Sequence, residues 1–299
     1  MRIILLNFKY CVGSGNNGRL VKKIMQQRGE VWEEVPLTSL VFNFKWQQNN
    51  RAYNYEKLTQ NSGVKQLVNH FEFHKEISSK AGLIKNLSYY CEQNKTNLFD
   101  ITPITFIFDL NKEDCDQTIQ NFINFYHKNM PNEMQKPENQ RKNILDIPKR
   151  TRHFFNNYEK RTNLYGVYGR PKMLRTYING NNYLWLLKPN YFNRGRGIQI
   201  FQTLEELEKM IVELCEGVEE NVFFHLEKEE KEKEVEKLNK KSTIKLNNFV
   251  IQKYIERPLL IEGRKFDIRV WVLISQNYDV YFFRFSEFEI IKKIMKKIN

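Results

Sequence analysis

Two short stretches hold residues whose types and spacing could handle phosphate and carboxylate groups. The first is Leu184 to Phe201, LWLLKPNYFNRGRGIQIF, where an apolar run ends at Lys188 and a loop with Arg194, Gly195, Arg196 and Gly197 leads into a second apolar run. A strand ending in lysine delivers a cation to a fixed point, and glycines let backbone N–H groups come close to a phosphate. The P-loop is G-x-x-x-x-G-K-[ST] leading into a helix; here the lysine comes first and a strand follows, an order that suggests a glycine flap closing over nucleotide between two strands. A basic hairpin loop at the surface would carry the same residues. The second stretch is Lys265 to Ile274, KFDIRVWVLI. On a strand Lys265, Asp267 and Arg269 share one face, and Phe266, Ile268 and Val270 are expected to point into the core. Two cations around one anion balance each other and can hold phosphate, ribose or a carboxylate. The alternative is an exposed charge ladder, although Val270 to Ile274 reads as too apolar for an edge strand.

These stretches need strands and helices to position them. Leu184–Phe201 reads as strand, loop, strand. Thr203 with Glu206 forms a capping box, and Leu204, Leu207, Met210, Ile211 and Leu214 give the following helix a buried face. Asn248 to Ile255, NFVIQKYI, is a further strand, and Val280 to Phe283 another, ending at Arg284. Upstream, Arg2 to Val12 reads as a strand before GSGNNG, residues 13–18, which matches G-x-G-x-x-G, with Glu33 or Glu34 as the acidic residue of a dinucleotide site; a tight turn opening a helix uses the same residues. Val41 to Trp46 alternates as a half-buried strand. A helical period runs from Val64 to Leu87, which would put His70 and His74 on one helix face at a possible metal spacing; no third ligand is nearby, and solvated or cap-side histidines are the commoner case. Ile101 to Leu110 is a strand and Thr118 to Tyr126 a helix. The organisation expected is an N-terminal α/β domain over 1–127, a polar and basic linker over 128–175, and a third region over 176–299 with a charged insertion near 218–246, whose core is EKEEKEKEVEKLNKK.

Across 299 residues, 48 Lys and Arg against 35 Asp and Glu leave +13, which favours an acidic partner. Lys149 to Arg175 interleaves eight Lys or Arg with aromatics, a pattern that can bind single-stranded nucleic acid, but a basic loop ahead of the flap accounts for it better. Cys11, Cys91, Cys115 and Cys215 are far apart and form no C-x-x-C pair, so neither a zinc site nor a disulfide framework is indicated. MRIILLNF is too short for a signal h-region and no run of 18 apolar residues occurs, so a soluble, cytoplasmic protein without a membrane partner is expected.

KPNYFNRGRGI, FVIQKYIERPLLI and GRKFDIRVWVLI, in this order and at roughly these intervals, resemble the tubulin tyrosine ligase-like family. NFKW, NHFEFHKEISSKAGLIKNL and FDITPITF agree more weakly. The resemblance implies an α/β (α+β) protein with an ATP-grasp core behind an N-terminal α/β domain. It implies ATP between two sheets, with Lys188 on the phosphates and Arg194 and Gly195 in the flap. Gln252, Lys253, Tyr254 and Ile255 would form the hinge strand that recognises adenine through backbone groups and packs its ring, Lys265 and Asp267 would contact the nucleotide, and Arg269 and Arg284 would face amino-acid or acceptor carboxylates. The implied reaction joins an amino acid, glycine or glutamate, to a glutamate of an acidic tubulin tail through a phosphorylated carboxylate. QKYIERPLLI with KFDIR leans towards the glycylases. The implied setting is the cytoskeleton, including cilium or basal body.

After Arg284 the family pattern is similar to E-G-x-x-R, followed later by a Glu-x-Asn pair that completes a magnesium site, whereas this sequence runs FSEFEIIKKIMKKIN. The expectation is therefore a C-terminally incomplete ATP-grasp domain whose magnesium ligands lie beyond residue 299. The other reading is a catalytically inactive relative that binds ATP or microtubules.

Overall fold

A computed structural model of the chain describes residues 8–15, 17–50, 53–60, 63–147, 182–193, 195–219, 243–284 and 287–290. The chain forms two compact units, Met1–Leu83 and Ile84–Asn299. In the first unit β1 (Phe8–Val12), α1 (Gly18–Gln26), β2 (Trp32–Glu34), β3 (Phe44–Trp46), α2 (Tyr55–Gln60), β4 (Leu67–Val68) and α3 (Lys75–Ser78) follow in order. The strands form a parallel sheet ordered β2-β1-β3-β4. The helical period expected from Val64 is broken: Leu67 and Val68 pair with Phe44 and Lys45, and a tertiary ladder overrides a local pattern here. His70 and His74 are therefore not two turns of one helix; His74 stands at the N-cap of α3.

α4 (Lys80–Gln93) runs across the division. The second unit continues with β5 (Thr105–Asp109), α5 (Cys115–Asn129), β6 (Trp185–Pro189), β7 (Gln199–Phe201), α6 (Leu204–Glu216), β8 (Val218–Glu219), β9 (Thr243–Ile244) and β10 (Asn248–Lys253). β11 (Phe266–Arg269), β12 (Val272–Ile274), β13 (Val280–Phe282) and β14 (Glu287–Ile290) follow. The expected class, α/β or α+β, is the one observed. The first domain boundary moves from 127 to 83, because β5 pairs with β10 and α5 packs beneath that sheet, which ties residues 105–129 to the C-terminal strands. The basic stretch Lys149–Arg175 and the core of the charged insertion lie outside the described residues.

The central sheet is antiparallel throughout, in the order β5-β10-β6-β7. One face presents Phe106, Phe108, Trp185, Leu187, Phe249 and Ile251 to Ile119, Phe122, Ile123 and Tyr126 of α5 and to Leu204, Leu207, Ile211 and Leu214 of α6. Phe122 meets Phe106 and Trp185 edge-on at centroid distances of 5.2 and 5.1 Å. Burying one such ring contributes about 1.5–3 kcal/mol, so this layer fixes the sheet's register. α6 starts as its sequence requires: the Thr203 hydroxyl accepts from Glu206 N, and the Glu206 carboxylate accepts from Thr203 N.

The run from Phe266 to Ile274 departs from expectation. It is two short strands, with β11 paired to β14 and β12 to β13, and Ile268 and Val270 are 52% and 48% exposed. Each pair is a two-stranded sheet, too small to bury both its faces without a packed layer. Alternation along the strand is real, but the apolar side does not face a core among the described residues.

Candidate functional site

The helices cover one face of the central sheet, so its other face is set by alternation and register. Val250 stands between Ile107 and Lys188, Gln252 between Thr105 and Leu186, and Leu186 opposite Ile200. The result is an apolar floor of buried Val250 and half-buried Ile107, Leu186 and Ile200, with Lys188 and Gln252 upon it. Lys188 Nζ donates to Gln252 Oε1 at 2.6 Å, Gln252 Nε2 donates to Thr105 Oγ1 at 2.9 Å, and Thr105 donates to the Pro103 carbonyl at 2.7 Å. This chain of bonds crosses three strands and aims the ammonium. After β6 the chain turns through Tyr191–Ile198, with Arg196 N bonded to Asn193 O and Ile198 N to Gly195 O. Gly195 and Gly197 have φ of +74° and +66°, a region that glycine adopts without a Cβ penalty. Arg194 lies outside the described residues.

At the other end of β10, Lys253 is buried and its ammonium donates to Glu256 Oε1 at 2.7 Å and to the Leu184 carbonyl at 2.8 Å. It also sits over the rings of Tyr183 and Trp185, at 5.4 and 5.9 Å. Burial pulls its pKa below the ordinary lysine value, while the Glu256 carboxylate acts in the opposite direction. Its side chain points to the helix-covered face with Phe249 and Ile251, as strand alternation requires, which agrees with the expectation that the hinge would act through backbone groups. Only its backbone can serve the hinge. Tyr254 and Ile255 follow the last strand residue, Tyr254 N bonds to Leu184 O, and the Tyr254 hydroxyl accepts from Lys265 Nζ, which lies 4.4 Å from the ring centroid. Lys265 is thus held beside the hinge.

Asp267 and Arg269 are exposed on β11, opposite Glu289 and Glu287 in register, and Arg284 is exposed beyond β13. Among the described residues no group of three or more His, Cys, Asp or Glu side chains could hold a metal ion, so any magnesium here would depend on Asp267 together with the nucleotide's phosphates. The residues do suit a nucleotide: an apolar floor, an aimed cation and a glycine loop beyond the end of the strand that carries it.

The remaining candidates carry less. In the first unit Gly15, at φ +90°, has the Gln48 side chain where a Cβ would stand, and Gly18 abuts the Gly13 carbonyl, so these glycines serve close packing. Glu34 is occupied by Lys22 at 2.5 Å. The His70 and His74 rings lie 4.9 Å apart, tilted by 38°, with His70 Nε2 on the Gln47 carbonyl and His74 Nδ1 on Ser78 Oγ. Burial pushes the Cys115 thiol up to about 12, which removes it as a nucleophile. Two residues of the site are not among those expected from the sequence: Thr105, 147 positions from the glutamine it steadies, and Glu256, whose one signal is its place in QKYIERPLLI.

A sequence model described as the tubulin-tyrosine ligase family matches residues 123–288, from α5 through the start of β14. A Schizosaccharomyces pombe protein named as a probable tubulin–tyrosine ligase is 38% identical over 110 residues, which is 33% of this chain and 24% of that protein. Human tubulin monoglycylase TTLL3 is 32% identical over 111 residues, 36% of this chain and 11% of that protein. A probable tubulin polyglutamylase, TTLL9, of Bos taurus is 33% identical over 99 residues, 30% of this chain and 21% of that protein. The chain therefore spans a quarter or less of the length of these relatives. With more than half of its residues matched by the family model, and with the motifs around Lys188, Gln252 and Asp267 inside that match, the chain belongs to the tubulin-tyrosine ligase family.

Proposed function

We propose that the chain carries the nucleotide-binding part of an ATP-dependent ligase that joins an amino acid, glycine or glutamate, to glutamate side chains of tubulin tails. The observation that carries this reading is the Lys188–Gln252 bond on the sheet face opposite the two helices, with a glycine loop at one end and the β10 hinge at the other. Adenine lies against the floor at the hinge, recognised by backbone groups of Gln252 to Ile255. Lys188 holds the phosphates, and Arg194 and Gly195 belong to the loop that closes over them. Lys265, already docked on Tyr254, and Asp267 reach the nucleotide from β11 and the segment before it. Arg269 and Arg284 bind the carboxylates of acceptor and incoming amino acid.

ATP supplies the phosphoryl group that makes the acceptor carboxylate an electrophile; the amine then displaces phosphate and an amide forms. Two anions must be brought together, and fixed cations lower that barrier both before and during the charge build-up. An acidic acceptor also suits a chain of net charge +13. Relatives named as glycylases and as a polyglutamylase lie at similar identity, so the donor is left as either amino acid. No helix among the described residues is long and apolar enough to cross a membrane, and the cytoskeleton is the proposed setting.

Intact-mass spectrometry of tubulin tail peptides incubated with the chain, ATP, magnesium, glycine, glutamate and tyrosine tests this reading. The expected result is an ATP-dependent increment equal to one or more glycyl or glutamyl residues. Increments of tyrosine alone, or modification without ATP, would overturn it.

A further inference from the structure

Neither the ligase chemistry nor the similarity to known ligases explains why a lysine and a glutamate are buried together at the hinge. Glu256 accepts from Leu184 N at 2.7 Å and from Lys253 Nζ at 2.7 Å through Oε1, and from Asn182 N at 3.1 Å through Oε2. Lys253 in turn donates to the Leu184 carbonyl, which also accepts from Tyr254 N. Both backbone groups of Leu184, the residue before β6, are thereby tied to the end of β10. Between Asn182 and Leu184 stands Tyr183 with φ of +49°, a conformation a bulky residue keeps only where its surroundings over-determine it. Its ring is fully buried and its hydroxyl donates to the Tyr126 carbonyl at 3.0 Å.

We propose that Lys253 and Glu256 are positioning residues whose side chains form a buried clasp that sets the distance and register between the hinge backbone at Tyr254–Ile255 and Lys188, and so fixes ATP affinity without either side chain touching ATP. This role rests on the ATP site proposed for the same sheet. β6 begins one residue after the clasped Leu184 and carries Lys188 near its far end; β10 ends at Lys253 and hands over to the hinge. The two ends of one nucleotide would thus be referenced to a single fixed point. A carboxylate is needed because both its oxygens accept; an amide at 256 offers one acceptor and turns a donor towards Asn182 N or Leu184 N.

The test uses the full chain, ATP titration calorimetry, hydrogen exchange and thermal unfolding, with Glu256→Gln, Lys253→Met and the double variant. Glu256→Gln is expected to weaken ATP binding at least about ten-fold and to speed exchange over 182–188 and 253–256, leaving β5 and α5 protected. The double variant removes both buried charges and should recover much of the thermal stability, yet keep the weakened ATP binding. If Glu256→Gln does not fold, the double variant alone decides. Affinity that recovers with stability would make the pair merely structural, and unchanged affinity in either variant would also overturn the proposal. Wild-type chain that binds no ATP, with the exchange changes present, would instead defeat the ATP reading and with it the affinity role of the clasp.

Discussion

Lys188 and Gln252, 64 residues apart in the chain, meet across neighbouring antiparallel strands with Nζ 2.6 Å from Oε1. They are diagonal partners, since Lys188 is in register with Val250, and only a long side chain on each strand can close that gap. Gln252 in turn leans on Thr105, which is fully buried. Thr105→Val keeps the shape but deprives the Gln252 amide of this acceptor, so a loss of about 1–3 kcal/mol is expected. Urea unfolding should show a lower midpoint with an unchanged slope; an unaltered midpoint would mean the bond contributes nothing.

Gly195 makes a different demand. Its φ is +74° but no atom of the described residues lies within 4 Å of where a Cβ would stand, so the constraint is conformational and not steric. Gly195→Ala should cost about 1–2 kcal/mol in the loop's own equilibrium, seen as a several-fold weaker ATP affinity with a nearly unchanged melting temperature. A clear drop in melting temperature would place the residue in the fold's framework instead.

His74 gives the first unit a pH dependence. Burial, the neighbouring His70 ring and Lys75 lower its pKa below the ordinary 6.5, and its Nε2 is buried with no hydrogen-bond partner among the described residues. A folded value below the unfolded one means that the unfolded chain binds the proton more readily. Stability is then fully present above about pH 6.5 and is lost as pH falls through the lowered folded value. Thermal unfolding between about pH 8 and pH 5 should show this decline across the ordinary histidine range, and His74→Gln should flatten it; an unchanged slope in that variant would exclude His74 as the source.

The cap of α6 is the part of the fold most directly legible in the residues. Thr203 and Glu206 specify both reciprocal bonds locally, and both are present. Thr203→Ala is expected to cost about 1 kcal/mol, readable as a lower urea midpoint; a loss below about 0.3 kcal/mol, under the usual range for a cap, would mean that packing of α6 alone holds the helix start.

Strands β6 and β10 are equally legible, because one face of each, apart from Lys253 at the end of β10, is apolar and meets two helices. The stretch from Lys265 is only half legible. Its alternation shows that Asp267 and Arg269 share a face, but whether Ile268 and Val270 are buried depends on what packs there, and a strand's own residues do not carry that information. β4 is hidden for a related reason: two residues, Leu67 and Val68, are too few to show a period and are strand only because β3 lies beside them. The motif around Lys253 suggests a backbone hinge, and alternation from Ile251 already places the Lys253 side chain on the helix-covered face; its buried partner is what the motif does not show. Thr105 and Glu256 act through contacts made only after folding, and Glu256 gains its meaning from the backbone of Asn182 and Leu184, far upstream.

Whether the Lys188 face of the β5-β10-β6-β7 sheet binds ATP is decided by titrating the full chain and its Lys188→Ala variant with ATP in a calorimeter. Saturable binding by the wild-type chain is expected, with an affinity lower by about ten- to a hundred-fold in the variant, the range of a lost charge-assisted bond, and little change in melting temperature. No binding by the wild-type chain, or equal binding by the two, would refute the assignment of ATP to this face.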